Sequence, residues 1–116
     1  MTDLEITRLC AEAMGTPMQL VEPQFLWPTG VMLAPAKGEF LVSYDPLNND
    51  AQAFALVKKF DLAVWGHAHA AGNWKYHVEC NYTGGREDTL GLGHGDTHNR
   101  AICECVAKMM LANKQP

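Results

Sequence analysis

The chain of 116 residues is one domain's worth, long enough for a modest core that buries about two-thirds of the surface of the extended chain. With 47% apolar and 19% charged residues it reads as a soluble globular domain, not a disordered tail. The net charge of -4 and the scattered Lys and Arg, with no run longer than Lys58-Lys59, argue against polymeric DNA or RNA as a partner, because phosphate neutralisation supplies most of that affinity.

A small anionic ligand needs only a few cations and stays open. The longest uncharged stretch, PQFLWPTGVMLAPA, contains Pro23, Pro28 and Pro35 and is too short to span a bilayer, so no membrane partner is expected. Asp3 and Glu5 stand where a secretory signal needs positive charge, which points to the cytoplasm. Four irregularly spaced cysteines in such a compartment read as free thiols.

Thr2 and Glu5 form a capping box, and Leu4, Ile6, Leu9, Cys10, Ala13 and Met14 give a helical apolar stripe that stops at Gly15 before Pro17. Residues 17–38 are punctuated by prolines and read as irregular, with a short edge strand around Phe25 to Trp27. EFLVSY, residues 39–44, is a short apolar run between Gly38 and Pro46 and is expected to be a strand. Asn48 or Asn49 then caps a second helix through Phe60, with Ala53, Leu56, Val57 and Phe60 inward and Lys58 and Lys59 near its negative end.

LAVWGHAHAAGNWKYHVECNY reads as two strands around the turn Ala71-Gly72-Asn73, with a further strand at Thr89 to Leu92 and a last helix from Asn99 to Ala112. Together these predict a single α+β domain over 1–116: a small antiparallel sheet of three to four strands packed with three helices.

Three segments, TDLEITRLCAEAMG, YDPLNNDAQAFALVKKFDL and DTHNRAICECVAKM, resemble small tailed-phage proteins, the phage ABA sandwich domains and the related NinX-like proteins. The resemblance covers the three helices and the strand before the second. It implies an α/β/α sandwich, encoded by a phage and working in the cytoplasm of the infected bacterial host. It implies no catalytic residues.

All five histidines and three of the four cysteines fall between His67 and Cys105, which raises the question of zinc. His94 and His98 have H-x3-H spacing, with Cys103 and Cys105 behind them. Two positions on a helix two residues apart point about 200° from each other, so Cys103 and Cys105 cannot both face one ion. Cys105 instead joins Ala101, Ile102, Val106, Met109 and Met110 on an apolar face. No metal and no cofactor is therefore expected.

Strand alternation accounts for the histidines of the hairpin. Trp74, Tyr76, Val78, Cys80 and Tyr82 face one way, and Lys75, His77, Glu79 and Asn81 the other. Trp65, His67 and His69 share a face opposite Val64, Gly66 and Ala68. The polar, His-bearing face is either a solvated surface or a ligand or partner surface.

GLGHGDTHNR, residues 91–100, can be read as an anion cradle ahead of a helix, with Arg86, Arg100, His94 and His98 supplying charge and hydrogen bonds, or as a glycine-loosened loop capped by Asp96 or Thr97. It lacks the Lys-Ser/Thr of a P-loop. No nucleophile elbow surrounds the single serine, Ser43, and the His77 and Glu79 pair is the sort of acid–base neighbour that arises by chance, so no enzyme is expected.

The expected function is that of a non-catalytic phage accessory protein that counters host defence by sequestering a small nucleotide-like signal. Trp65, Trp74 and Tyr76 would stack on a base. The polar groups would come from His67, His69, His77, His94 and His98, and the phosphate contacts from Arg86 and Arg100. The rivals are an inhibitor of a host enzyme, acting through the hairpin face, and a zinc-binding module. A homodimer is compatible with the sequence, which does not fix it.

Overall fold

The fold was obtained as a computed structural model, which describes residues 1–33, 41–66, 76–80 and 92–114. Helix α1 spans Asp3–Met14. Its capping box is present: Thr2 Oγ1 accepts from the Glu5 backbone at 3.1 Å, and Glu5 accepts from the Thr2 backbone at 3.4 Å. Gly15 ends the helix at φ 71°, a left-handed conformation in which a Cβ would be strained.

The proline-punctuated stretch is more ordered than its composition suggests. β1 (Met18–Leu20) pairs antiparallel with β2 (Val31–Leu33), and β2 pairs with β3 (Val42–Ser43), giving a three-stranded sheet in the order β1-β2-β3. The edge strand expected at Phe25 to Trp27 is instead the tip of the β1–β2 hairpin, closed by a single bridge between Gln24 and Trp27. Residues 34–40, including part of the EFLVSY run, lie outside the described residues.

Helix α2 (Asp50–Phe60) is capped by Asn49, whose side chain accepts from the Gln52 backbone at 3.0 Å. Gln52 reaches back to the strand before it, donating to Ser43 O at 2.8 Å and accepting from Asp45 N at 2.6 Å. Lys59, at the far end of α2, donates to Met14 O at 2.6 Å and so ties the carboxyl ends of α1 and α2 together.

A second sheet follows. β4 (Leu62–Gly66), β5 (Tyr76–Cys80) and β6 (Leu92–Gly95) are antiparallel in the order β4-β5-β6. The β4–β5 pairing agrees with the expected hairpin, whose turn, with His67, His69 and Trp74, lies outside the described residues. The α+β class holds, with the strands divided between two three-stranded sheets where one sheet of three to four strands was expected.

Helix α3 (His98–Lys114) is the centre of the packing. It lies on β6 and β5 and touches α1 and α2. Cys103 and Cys105 are both fully buried, although they point apart on the helix. Cys105 lies beside Gly93 of β6, while the Cys103 carbonyl accepts from the Cys10 thiol of α1 at 3.4 Å. The core joins these layers through Ile6, Val31, Leu56, Val78 and Val106. Among the described elements, α3 packs on the second sheet through β6, β5 and β4, and α2 meets β4.

Candidate functional site

The register of the second sheet separates two faces with different chemistry. Val64 pairs with Val78, Val78 with Gly93, and Tyr76 with Gly95, all toward α3. Trp65 pairs with His77 and His77 with His94, so these three side chains form a row on the opposite face.

Gly93 and Gly95 settle what the glycine-rich segment is for. A Cβ at Gly93 would overlap the Ala101 carbonyl oxygen and stand 2.7 Å from the Cys105 nitrogen. A Cβ at Gly95 would meet Arg100 Cγ at 2.7 Å. These glycines are spacers that let α3 lie directly on β6, a role that strand glycines take where another backbone comes close. They do not form an open cradle of backbone amides.

The helix end that follows is already supplied with carboxylates. Thr97 is the cap, its Oγ1 accepting from Arg100 N at 3.1 Å. Arg100 is ion-paired with Asp3, Asn99 donates to Asp50 Oδ1 at 2.9 Å, and Asp96 lines the same cleft of about 400 Å³. The anion role expected of Arg100 therefore falls to the chain's own Asp3, in keeping with the preference of helix amino termini for carboxylates. His98 lies against Tyr76 on the α3 face, with ring centroids 3.8 Å apart and planes tilted by 37°. This removes both His98 and Tyr76 from the His-bearing face. Arg86 lies outside the described residues.

The outer row is held by a continuous set of contacts. Trp65 stacks on His77 with ring centroids 5.3 Å apart and planes 23° apart. His77 Nδ1 lies 2.9 Å from His94 Nε2, and His77 Nε2 lies 3.0 Å from Glu79 Oε1. Glu79 follows two residues after His77 on β5, so the pleat puts both on one face. The His77 side chain is 16% exposed and that of Glu79 40%. Trp65 keeps 45% of its surface open.

The hydrogen-bond polarity along this row follows the protonation of His77. Neutral His77 donates from Nε2 to Glu79 and accepts at Nδ1 from His94. The cationic form donates from both nitrogens, and His94 becomes the acceptor. The row Glu79–His77–His94 is thus a short hydrogen-bonded chain beside an indole platform. Of the residues singled out in the sequence, Trp65, His77 and His94 come together here, whereas His98 and Arg100 lie at the α3 entrance. Glu79 completes the row, and its signal was its position two residues from His77.

Burial shapes two titratable groups elsewhere in the core. The Cys10 thiol is pushed far up by its hydrogen bonding with Cys103 and by burial, and burial likewise raises Tyr44 beside Cys10 and Cys103. Cys10 and Cys103 are both fully buried in the core. Among the described residues no group of three His, Cys, Asp or Glu is placed to hold a metal ion, and no helix is long and apolar enough to cross a membrane. In comparisons with protein-family models, curated proteins and solved structures, nothing matches this chain.

Proposed function

We propose that this chain is a non-catalytic binding protein that takes up a small ligand carrying a flat heteroaromatic group, such as the base of a nucleotide signal, on the outer face of the β4–β5–β6 sheet. The observation that carries the reading is the hydrogen-bonded row Glu79–His77–His94 with Trp65 stacked on it and half open. An indole offers a stacking surface to any base, and stacking of this kind contributes about 1–3 kcal/mol per base. The imidazoles beside it supply donors and acceptors for the ring edge.

The setting, withholding of a nucleotide signal in the cytoplasm of an infected bacterium, rests on the resemblance of the helical segments to small tailed-phage proteins. The phosphates of such a ligand are not assigned to Arg100, which is paired with Asp3.

Titration calorimetry of the untagged protein against cyclic and adenosine-derived nucleotides tests the reading, with the recovered nucleotide analysed by mass. The expected result is uptake of one class, unchanged after incubation, and loss of at least about tenfold in affinity in Trp65→Ala, the equivalent of one stacking contact. Conversion of the nucleotide would overturn the non-catalytic reading. Indifference to the whole panel, with a host protein recovered in its place, would favour the enzyme-inhibitor alternative.

A further inference from the structure

We infer that the imidazoles of His77 and His94 form a cross-strand site for one borderline divalent transition-metal cation, such as Zn²⁺ or Cu²⁺, on the outer face of the second sheet. The inference stands apart from the ligand reading, since it needs neither a nucleotide nor the stacking surface of Trp65.

Spacing in the sequence pairs His94 with His98. The structure separates those two, because His98 lies against Tyr76 on the α3 face while His94 belongs to the opposite face. The partner of His94 is His77, directly across from it in the β5–β6 register. Side chains at opposed positions of an antiparallel pair leave the sheet about 4.5–5.5 Å apart at Cβ, close enough for two rings to converge on one point.

These rings converge through nitrogens. His77 Nδ1 and His94 Nε2 are 2.9 Å apart, with ring centroids 4.8 Å apart and planes tilted by 47°. A cation bonded to two imidazole nitrogens at about 2.0–2.1 Å in a near-tetrahedral site holds them about 3.3 Å apart. The last side-chain torsion of histidine is soft, so a small ring rotation supplies the difference with the strands in place.

His77 is also held in the way a metal ligand is held. Its Nε2 lies 3.0 Å from Glu79 Oε1. A ligating imidazole nearly always donates its second ring N–H to a carboxylate or carbonyl, which fixes the tautomer and makes the other nitrogen more basic. With the Nε2 proton directed at Glu79, the lone pair of Nδ1 is the one aimed at His94. Without metal, a proton on His94 Nε2 fills the space between the rings. Its transfer to His94 Nδ1 presents a second lone pair, so two neutral imidazoles receive the cation.

Glu79 stands at the far nitrogen of His77 and orients that ring without joining the cation. The described residues thus supply two nitrogens, and water or another molecule takes the remaining positions. His77 is 16% exposed and His94 half-buried, so the pair is reached from solvent. Imidazole donors suit Zn²⁺, Ni²⁺ and Cu²⁺, with Cu²⁺ the tightest, and do not suit Mg²⁺ or Ca²⁺, which take oxygen.

Titration calorimetry of Zn²⁺ and of Cu²⁺ into the metal-free full chain, with no nucleotide present, tests the site. One ion per chain is expected, Cu²⁺ binding more tightly than Zn²⁺. His77→Ala and His94→Ala should each remove this step, and Glu79→Ala should weaken it by about tenfold or more. His98→Ala should bind as the wild type does. Circular dichroism checks that each variant is folded, and His94→Gln, which keeps a hydrogen-bonding group opposite His77, stands in if His94→Ala is not. Zn²⁺ should also raise the melting temperature of the wild type and leave that of the His94 variants unmoved, because the site exists only where β5 and β6 are paired.

A wild-type chain that takes up neither ion would overturn the proposal. So would uptake that survives both His77→Ala and His94→Ala, or uptake lost in His98→Ala as fully as in His94→Ala, which would restore the pairing suggested by the spacing.

Discussion

Replacing Gly93 by Ala adds one methyl group at the seam between β6 and α3. That methyl would fall inside the Ala101 carbonyl oxygen and lie 2.7 Å from the Cys105 nitrogen and 2.9 Å from the Cys105 Cβ. Two of these three neighbours are backbone atoms of α3, so no rotamer change relieves the overlap and the helix must move off the sheet. Overpacking of this kind costs about 1–3 kcal/mol where side chains can adjust, and the upper end applies here. Reduced freedom of the unfolded chain returns about 0.4–1 kcal/mol. The net expectation is a loss of about 2–3 kcal/mol, a large part of the 5–15 kcal/mol that holds a typical domain.

Gly66→Ala is the matched control. Its Cβ would meet Tyr76 Cε1 at 3.6 Å, an ordinary contact, and its stability should change by less than about 0.5 kcal/mol. Gly95→Ala should fall between, since its nearest obstacle is the flexible Arg100 side chain at 2.7 Å. Urea unfolding followed by far-UV circular dichroism gives all three midpoints. A Gly93→Ala midpoint equal to that of the wild type would refute the spacer argument and return the glycines to an open loop available to an anion.

Two further expectations concern the buried groups beside α1. Tyr44 is 3% exposed and its hydroxyl has no hydrogen-bond partner among the described residues, so Tyr44→Phe should leave stability unchanged or raise it by up to about 1 kcal/mol in thermal unfolding; a loss above that would reveal a partner for the hydroxyl. Cys10 and Tyr44 are both raised above their ordinary values of 9.0 and 10.0, so the folded chain keeps protons that the unfolded chain releases. Stability from these groups is therefore complete below pH 9 and declines above it, by up to about 1.4 kcal/mol per pH unit for each group. Urea midpoints measured from pH 8 upward check the sign, and a midpoint that rises with pH would contradict it.

The helices were legible because their signals are local. The Thr2–Glu5 box and Gly15 act within four residues and are found where the sequence places them, while the Asn49 and Thr97 caps are each one of two adjacent candidates. The first sheet was not legible for the converse reason. β1 and β2 are three residues each, and β2 is buried throughout, so neither shows the alternation that marks a half-exposed strand. β6 carries Gly93 and Gly95, residues that strands usually avoid, and only the nearness of the α3 backbone explains them. The alternation on β5 did place His77 and Glu79 on one face. Setting His94 opposite His77 needed the β5–β6 register, which no local pattern specifies across residues 81–91.

The two faces of the second sheet make opposite demands on their residues, and the difference bears on function. Toward α3 the side chains dwindle to hydrogen at Gly93 and Gly95, and the space is filled by helix backbone. On the outer face the paired positions hold an indole and two imidazoles, Trp65, His77 and His94. If that outer face served only to meet water, small or charged residues would do, and stacking Trp65 on His77 would leave a large ring half exposed without return. The row instead keeps His77 hydrogen-bonded between a carboxylate and a second imidazole, beside the half-open indole. The proposed recognition of a heteroaromatic edge rests on this pairing of imidazole donors and acceptors with a stacking ring. At the α3 entrance, by contrast, Arg100 is already paired with Asp3, and Asn99 donates to Asp50.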